Sequence, residues 1–106
     1  MMILEKIMND YWNGKVVIIT GATHGIGLRL AERLSKKGVK ISTIYRNNDD
    51  RANNLKKIID NNGSELYIIK GDIIDKNNIK TLIEGTIFIF LLWYSILRKN
   101  QHKIIC

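Results

Sequence analysis

At 106 residues the chain has room for one domain, and a domain of that size can bury a core of its own. Hydrophobic residues make up 45% and charged residues 25%, the proportions of a soluble globular chain. The net charge of +7 favours anionic partners, but the Lys and Arg residues are spread along the chain and no nucleic-acid motif accompanies them, so no nucleic-acid partner is expected. The single cysteine, Cys106, excludes an internal disulfide and fits a reducing, cytoplasmic setting.

Residues 1–12 carry Ile3, Leu4, Ile7 and Met8 at helical spacing between charged positions, an amphipathic lead-in without the long apolar core of a secretory signal. Asn13-Gly14-Lys15 turns the chain into a first strand, Val16 to Thr20. The run Thr20-Gly21-Ala22-Thr23-His24-Gly25-Ile26-Gly27 then opens a helix whose apolar face is expected at Ile26, Leu30, Ala31 and Leu34, ended by Gly38. Val39 to Tyr45 reads as a second strand, rich in β-branched residues. Asn47-Asn48-Asp49-Asp50 supplies a cap and an acidic first turn for a second helix, with Ala52, Leu55, Ile58 and Ile59 on its apolar face and Asn61-Asn62-Gly63 as its stop. Leu66 to Lys70 is a third strand, Gly71-Asp72 follows, and Asp75 caps a shorter helix carrying Ile79, Leu82 and Ile83.

The order is β-α-β-α-β-α, which predicts an α/β fold: a Rossmann-like parallel sheet with right-handed crossovers, the mononucleotide-binding half of a doubly wound architecture. The predicted division is a lead-in over 1–12, a nucleotide-binding half-domain over 13–85, and an apolar and basic tail over 86–106.

The glycine turn carries the chemistry. Three glycines within seven residues leave the strand-to-helix junction free of Cβ atoms, so a pyrophosphate can approach the backbone N–H groups at the helix N-terminus, where the helix dipole favours an anion. Its spacing departs from both Gly-x-Gly-x-x-Gly and the phosphate loop ending in Gly-Lys-Ser/Thr. It closely resembles the Thr-Gly-x-x-x-Gly-Ile-Gly signature of the short-chain dehydrogenase/reductase family, over roughly Asn13 to Glu84.

That resemblance implies an NAD(P)-dependent oxidoreductase and a dinucleotide as partner. It makes Gly21, Gly25 and Gly27 the pyrophosphate turn and brings Thr23 and His24 near the adenosine ribose, where a protonated His24 could meet a 2′-phosphate. Thr20 and Ile26 belong to the same motif, Thr20 through local hydrogen bonding and Ile26 as a residue expected to turn into the core. Tyr45-Arg46-Asn47 ends the second strand with no carboxylate until Asp49, and Arg46 there favours NADP over NAD. Asp72 and Ile73 are similar to the acidic-aliphatic pair that holds the adenine in the family, although Asp72 also suits a turn.

The resemblance stops near Gly85. The Asn-Ala-Gly turn, the Ser and the Tyr-x-x-x-Lys pair through which the family moves a proton while hydride passes to or from nicotinamide are not found. Tyr94, Ser95 and Arg98 are no substitute, because Arg stays protonated and cannot tune a tyrosine. No catalytic residue and no metal ligand is therefore assigned, and the expectation is the cofactor-binding half of a longer reductase, diverging by truncation, frame change or splicing. Thr86 to Leu97 is an apolar run with a basic end. Part of it could pair as a fourth strand beside strand one, and it is shorter than the ~20 residues needed to cross a bilayer. The alternatives are a nucleotide-binding module without turnover, and an interaction or membrane-surface protein acting through residues 86–103. An exposed sheet edge would also favour self-association.

Overall fold

The computed structural model describes residues 10–92 together with 104 and 105. Its elements run in the expected order: β1 (Val16–Ile18), α1 (Gly25–Lys36), β2 (Lys40–Tyr45), α2 (Asp49–Asn61), β3 (Leu66–Lys70) and α3 (Lys76–Thr86). A π-helical turn, Ile87–Leu92, continues α3, and a short strand β4 (Ile104–Ile105) follows. The sheet has the order β3-β2-β1-β4 and every pairing is parallel. Consecutive parallel strands joined by helices make this a Rossmann-like α/β fold.

Local chemistry explains the boundaries. Asn48 caps α2, its side chain accepting from the Arg51 N–H at 3.1 Å, and Asp75 caps α3, accepting from the Asn77 N–H at 2.9 Å. Gly38, at φ +82°, follows α1 in the left-handed conformation that ends helices. Register is fixed by the pairs Val16 with Lys40 and Tyr45 with Lys70. The Thr43 hydroxyl donates to the Ile19 carbonyl, binding β2 to the chain just past β1.

Strand alternation divides β1 between two cores. Val17 joins Ile19, Ala31, Leu34, Ile41, Leu55 and Ile59 beneath α1 and α2. Where those helices end, Asn62 donates to the Ser35 hydroxyl at 2.9 Å. Val16 faces the other side, against Phe90 of the π-helical turn, with Tyr67, Ile89 and Leu91 around them. Ser42 is wholly buried, and its hydroxyl has no hydrogen-bond partner among the described residues.

Two expectations are corrected. The face of α1 that meets the core is Leu28, Ala31, Leu34 and Ser35, while Ile26 and Leu30 are 87% and 46% exposed. Small Ala31 and Ser35 let the helix lie close to the sheet and α2, which rotates Ile26 and Leu30 outward. Over Thr86 to Leu92 the apolar run expected to supply part of a fourth strand is helical, since no proline, glycine or Asx residue interrupts it after Gly85, and its residues 93–97 lie outside the described residues. The neighbour of β1 is instead Ile104–Ile105. The lead-in lies outside the described residues except for 10–12, which include two helical residues beyond Asp10, and Tyr94, Ser95 and Arg98 lie outside them altogether.

No helix among the described residues is long and apolar enough to cross a membrane.

Candidate nucleotide-binding site

Parallel strands deliver their C-terminal ends to one edge of the sheet, and ligands of such folds bind at that edge. The motif residues collect there from three adjacent strands. Thr20 to Gly27 bridge β1 and α1, Arg46 and Asn47 follow β2, and Asp72 and Ile73 follow β3. The Gly71 N–H donates to the Tyr45 carbonyl at 2.8 Å, so the segment carrying Asp72 leaves the sheet beside the one carrying Arg46.

The glycines have separate tasks. Gly21 and Gly25 adopt φ of +70° and +62°, a region that costs other residues strain. Gly27 lies in α1 against the Gly21 carbonyl group, and any side chain there would overlap it. The turn therefore folds tightly onto the first turn of α1.

The N-terminus of α1 is left open to an anion. His24 is its N-cap residue, yet the imidazole makes no capping hydrogen bond, and the first turn contains no acidic residue. The first N–H groups of a helix lack internal acceptors. In α2 and α3 a side chain satisfies one of them, and in α1 none does. With the dipole positive at this end, the unfilled donors and the glycine cradle fit a pyrophosphate.

Around this turn, Thr20, His24 and Ile26 are exposed, whereas Thr23 is buried in the loop. Ile26 is thus turned to solvent and not into the core. Asp72 is half-buried and makes a turn: one carboxylate oxygen accepts from the Ile74 N–H at 2.9 Å, and its backbone carbonyl accepts from the Asn78 side chain at 3.0 Å. Its other oxygen has no hydrogen-bond partner among the described residues. Ile73 is about half exposed beside it.

Arg46 is exposed and forms no ion pair among the described residues. The first carboxylate beyond it is already engaged. Tyr45 donates its hydroxyl to Asp49 Oδ1 at 2.8 Å, and Lys70 Nζ lies 3.2 Å from the same oxygen. The tyrosine hydrogen bond, with Lys70 beside it, holds the Asp49 carboxyl below its usual range, and the same hydrogen bond raises Tyr45 above the ordinary phenol value.

Sequence reading missed this cluster. Tyr45 and Asp49 are four apart across a strand-to-helix turn, where helical spacing rules do not apply, and Lys70 reaches them only through the β2–β3 register. It also missed that Tyr-x-x-x-Lys does occur, at Tyr11 and Lys15. That pair precedes β1, at the opposite end of the strand from the glycine turn, and the Lys15 ammonium sits 3.0 Å from the centre of the Tyr11 ring. It is not part of the site. Among the described residues no cluster of His, Cys, Asp and Glu could hold a metal ion.

Comparison with known proteins agrees with this geometry. Residues 15–90 match the short chain dehydrogenase family. Trihydroxynaphthalene reductase PfmaI of Pestalotiopsis fici is 32% identical over 74 residues, covering 70% of this chain and 26% of that protein. A dehydrogenase/reductase SDR family protein 7-like of Dictyostelium discoideum is 36% identical over 87 residues, covering 78% of this chain and 27% of that protein. The chain therefore spans about a quarter of the length of these relatives. Among solved structures, a short chain dehydrogenase from Burkholderia cenocepacia in complex with NADP superposes with a TM-score of 0.70 at 25% identity, over 74% of this chain and 32% of that one. A dehydrogenase/reductase from Sinorhizobium meliloti gives 0.73 at 27% identity, over 81% and 35%. With the glycine turn, the strand order and the family match in accord, the chain belongs to the short-chain dehydrogenase family.

Proposed function

We propose that the chain is the NADP-binding part of a short-chain oxidoreductase that moves hydride between a nicotinamide and a carbonyl or alcohol. The open N-terminus of α1 behind the Gly21, Gly25 and Gly27 turn carries this reading. NADP rather than NAD is favoured by Arg46, which follows β2 without an ion-pair partner among the described residues and could form charge-assisted hydrogen bonds to a 2′-phosphate. The solved Burkholderia cenocepacia neighbour in complex with NADP points the same way.

Bound cofactor would supply the hydride chemistry. The chain's own residues would hold it: backbone N–H groups of the turn at the pyrophosphate, Arg46 and Asn47 at the adenosine ribose, His24 beside them, and Asp72 with Ile73 at the adenine. No residue in this edge of the sheet is assigned as proton donor, so the 106-residue chain is expected to bind cofactor without turnover.

Calorimetric titration with NADP and NAD tests the proposal. Tighter binding of NADP is expected, with Arg46→Ala weakening NADP about tenfold and leaving NAD nearly unchanged. Gly21→Ala combined with Gly25→Ala should abolish binding of both. A folded chain that binds neither nucleotide would refute the reading and favour an interaction role for residues 86–103, read from loss of partner or vesicle association on their deletion.

A further inference from the structure

The ion pair between Lys70 and Asp49 lies next to the residues that would choose the cofactor, and it joins elements that are distant in sequence. Asp49 is the first residue of α2 and the first carboxylate after Arg46. Lys70 ends β3, directly paired with Tyr45 in the sheet. Its ammonium lies 3.2 Å from Asp49 Oδ1 and 6.0 Å from the centre of the Tyr45 ring, while the Tyr45 hydroxyl donates to the same carboxylate. One side of Asp49 is therefore occupied by a cation and a hydroxyl, both supplied by strand ends.

We propose that Lys70 is a positioning residue for cofactor choice: by pairing with Asp49 it keeps that carboxylate from opposing a 2′-phosphate at Arg46 and from accepting hydrogen bonds of an unphosphorylated ribose. This rests on the NADP reading given above. Strand ends of this type choose NAD when a carboxylate is free to meet the ribose hydroxyls, and NADP when positive charge prevails. Arg46 supplies the positive charge. Asp49 is three residues away, and unpaired it would repel the phosphate and compete for the guanidinium. Lys70 removes that competition without touching the cofactor.

The pair is solvent-exposed, with side chains 54% and 60% accessible, so its contribution to folding is small and its effect should be read in binding. A released carboxylate three residues from Arg46, screened by water, should change the NADP-over-NAD affinity ratio about three- to fivefold.

The test is calorimetric titration of the full chain with NADP and with NAD, for Lys70→Met, Lys70→Arg, Asp49→Asn and the double substitution Asp49→Asn/Lys70→Met. Far-ultraviolet circular dichroism checks that each is folded. Lys70→Met should lower the NADP-over-NAD ratio by that factor, and Lys70→Arg should restore it. Asp49→Asn alone should preserve or raise the ratio. The double substitution should return it to the starting value, because Lys70 has no role once Asp49 is neutral. An unchanged ratio in Lys70→Met overturns the inference while leaving the role of Arg46 intact. A double variant as impaired as Lys70→Met also overturns it, since Lys70 would then be attracting the phosphate itself. If the unsubstituted chain shows no preference for NADP, the reading beneath the inference fails and takes the inference with it.

Discussion

A methyl group placed on Gly27 would lie 2.8 Å from the carbonyl carbon of Gly21, inside any permissible contact. Both partners are backbone, so relief requires the glycine turn to lift from α1. Gly27→Ala is expected to cost about 1–3 kcal/mol in urea unfolding and to weaken NADP binding more than its stability loss explains. Gly21→Ala meets nothing within 4 Å, and its φ of +70° alone sets its cost at about 1–2 kcal/mol. Nucleotide affinity measured on both variants at a temperature where each is fully folded separates the two effects.

Phe90 is 2% exposed against Val16, while its neighbour Phe88 is 61% exposed. Phe90→Ala should therefore cost about 3–5 kcal/mol, and Phe88→Ala within about 0.5 kcal/mol of nothing. Urea midpoints at constant slope would check the contrast. Equal effects would mean that the apolar run after α3 is not seated as described.

Ser42→Ala removes a buried hydroxyl without a partner among the described residues. Desolvating such a group is unfavourable, so the variant should be neutral or up to about 1 kcal/mol more stable. A clear loss in thermal unfolding would show that the hydroxyl is bonded in solution.

Tyr45 and Asp49 titrate in opposite directions from their ordinary values, through the one hydrogen bond between them. Asp49, depressed, stabilises the fold at pH above its unfolded value of 3.8, and that contribution is lost as pH falls through the folded value. Tyr45, raised, contributes below its unfolded value of 10.0, and its contribution is lost as pH rises through the folded value. Asp49→Asn should bring Tyr45 back toward 10.0, readable by NMR titration of its ring carbons. No movement would place the Tyr45 hydroxyl elsewhere.

Much of this was legible because it depends on short-range chemistry. Asn48, Asp75 and Gly38 mark helix ends through their own side chains or lack of one, and the range of β3, Leu66 to Lys70, follows from β-branched residues bounded by turn formers. The glycine turn was legible for the same reason. The Lys70 pairing with Asp49 was not, since it needs the register of two strands. Ile26 and Leu30 were misjudged because several helical faces of α1 carry apolar residues, and only contact with α2 and the sheet selects among them. The helical course of Thr86 to Leu92 was hidden by a composition that suits strand and helix alike.

Strand β1 takes one neighbour from Lys40–Ser42 and the other from Ile104–Ile105. During synthesis its first side can be closed early, but its second stays open until residue 105 has cleared the ribosome. Pairings between such distant segments form slowly, and until then the nascent chain presents an unpaired strand edge at its centre. Chaperone dependence of this protein should therefore track the time taken to make the segment after α3, so that a translational pause placed there would lower the yield of folded chain more than the same pause before β2.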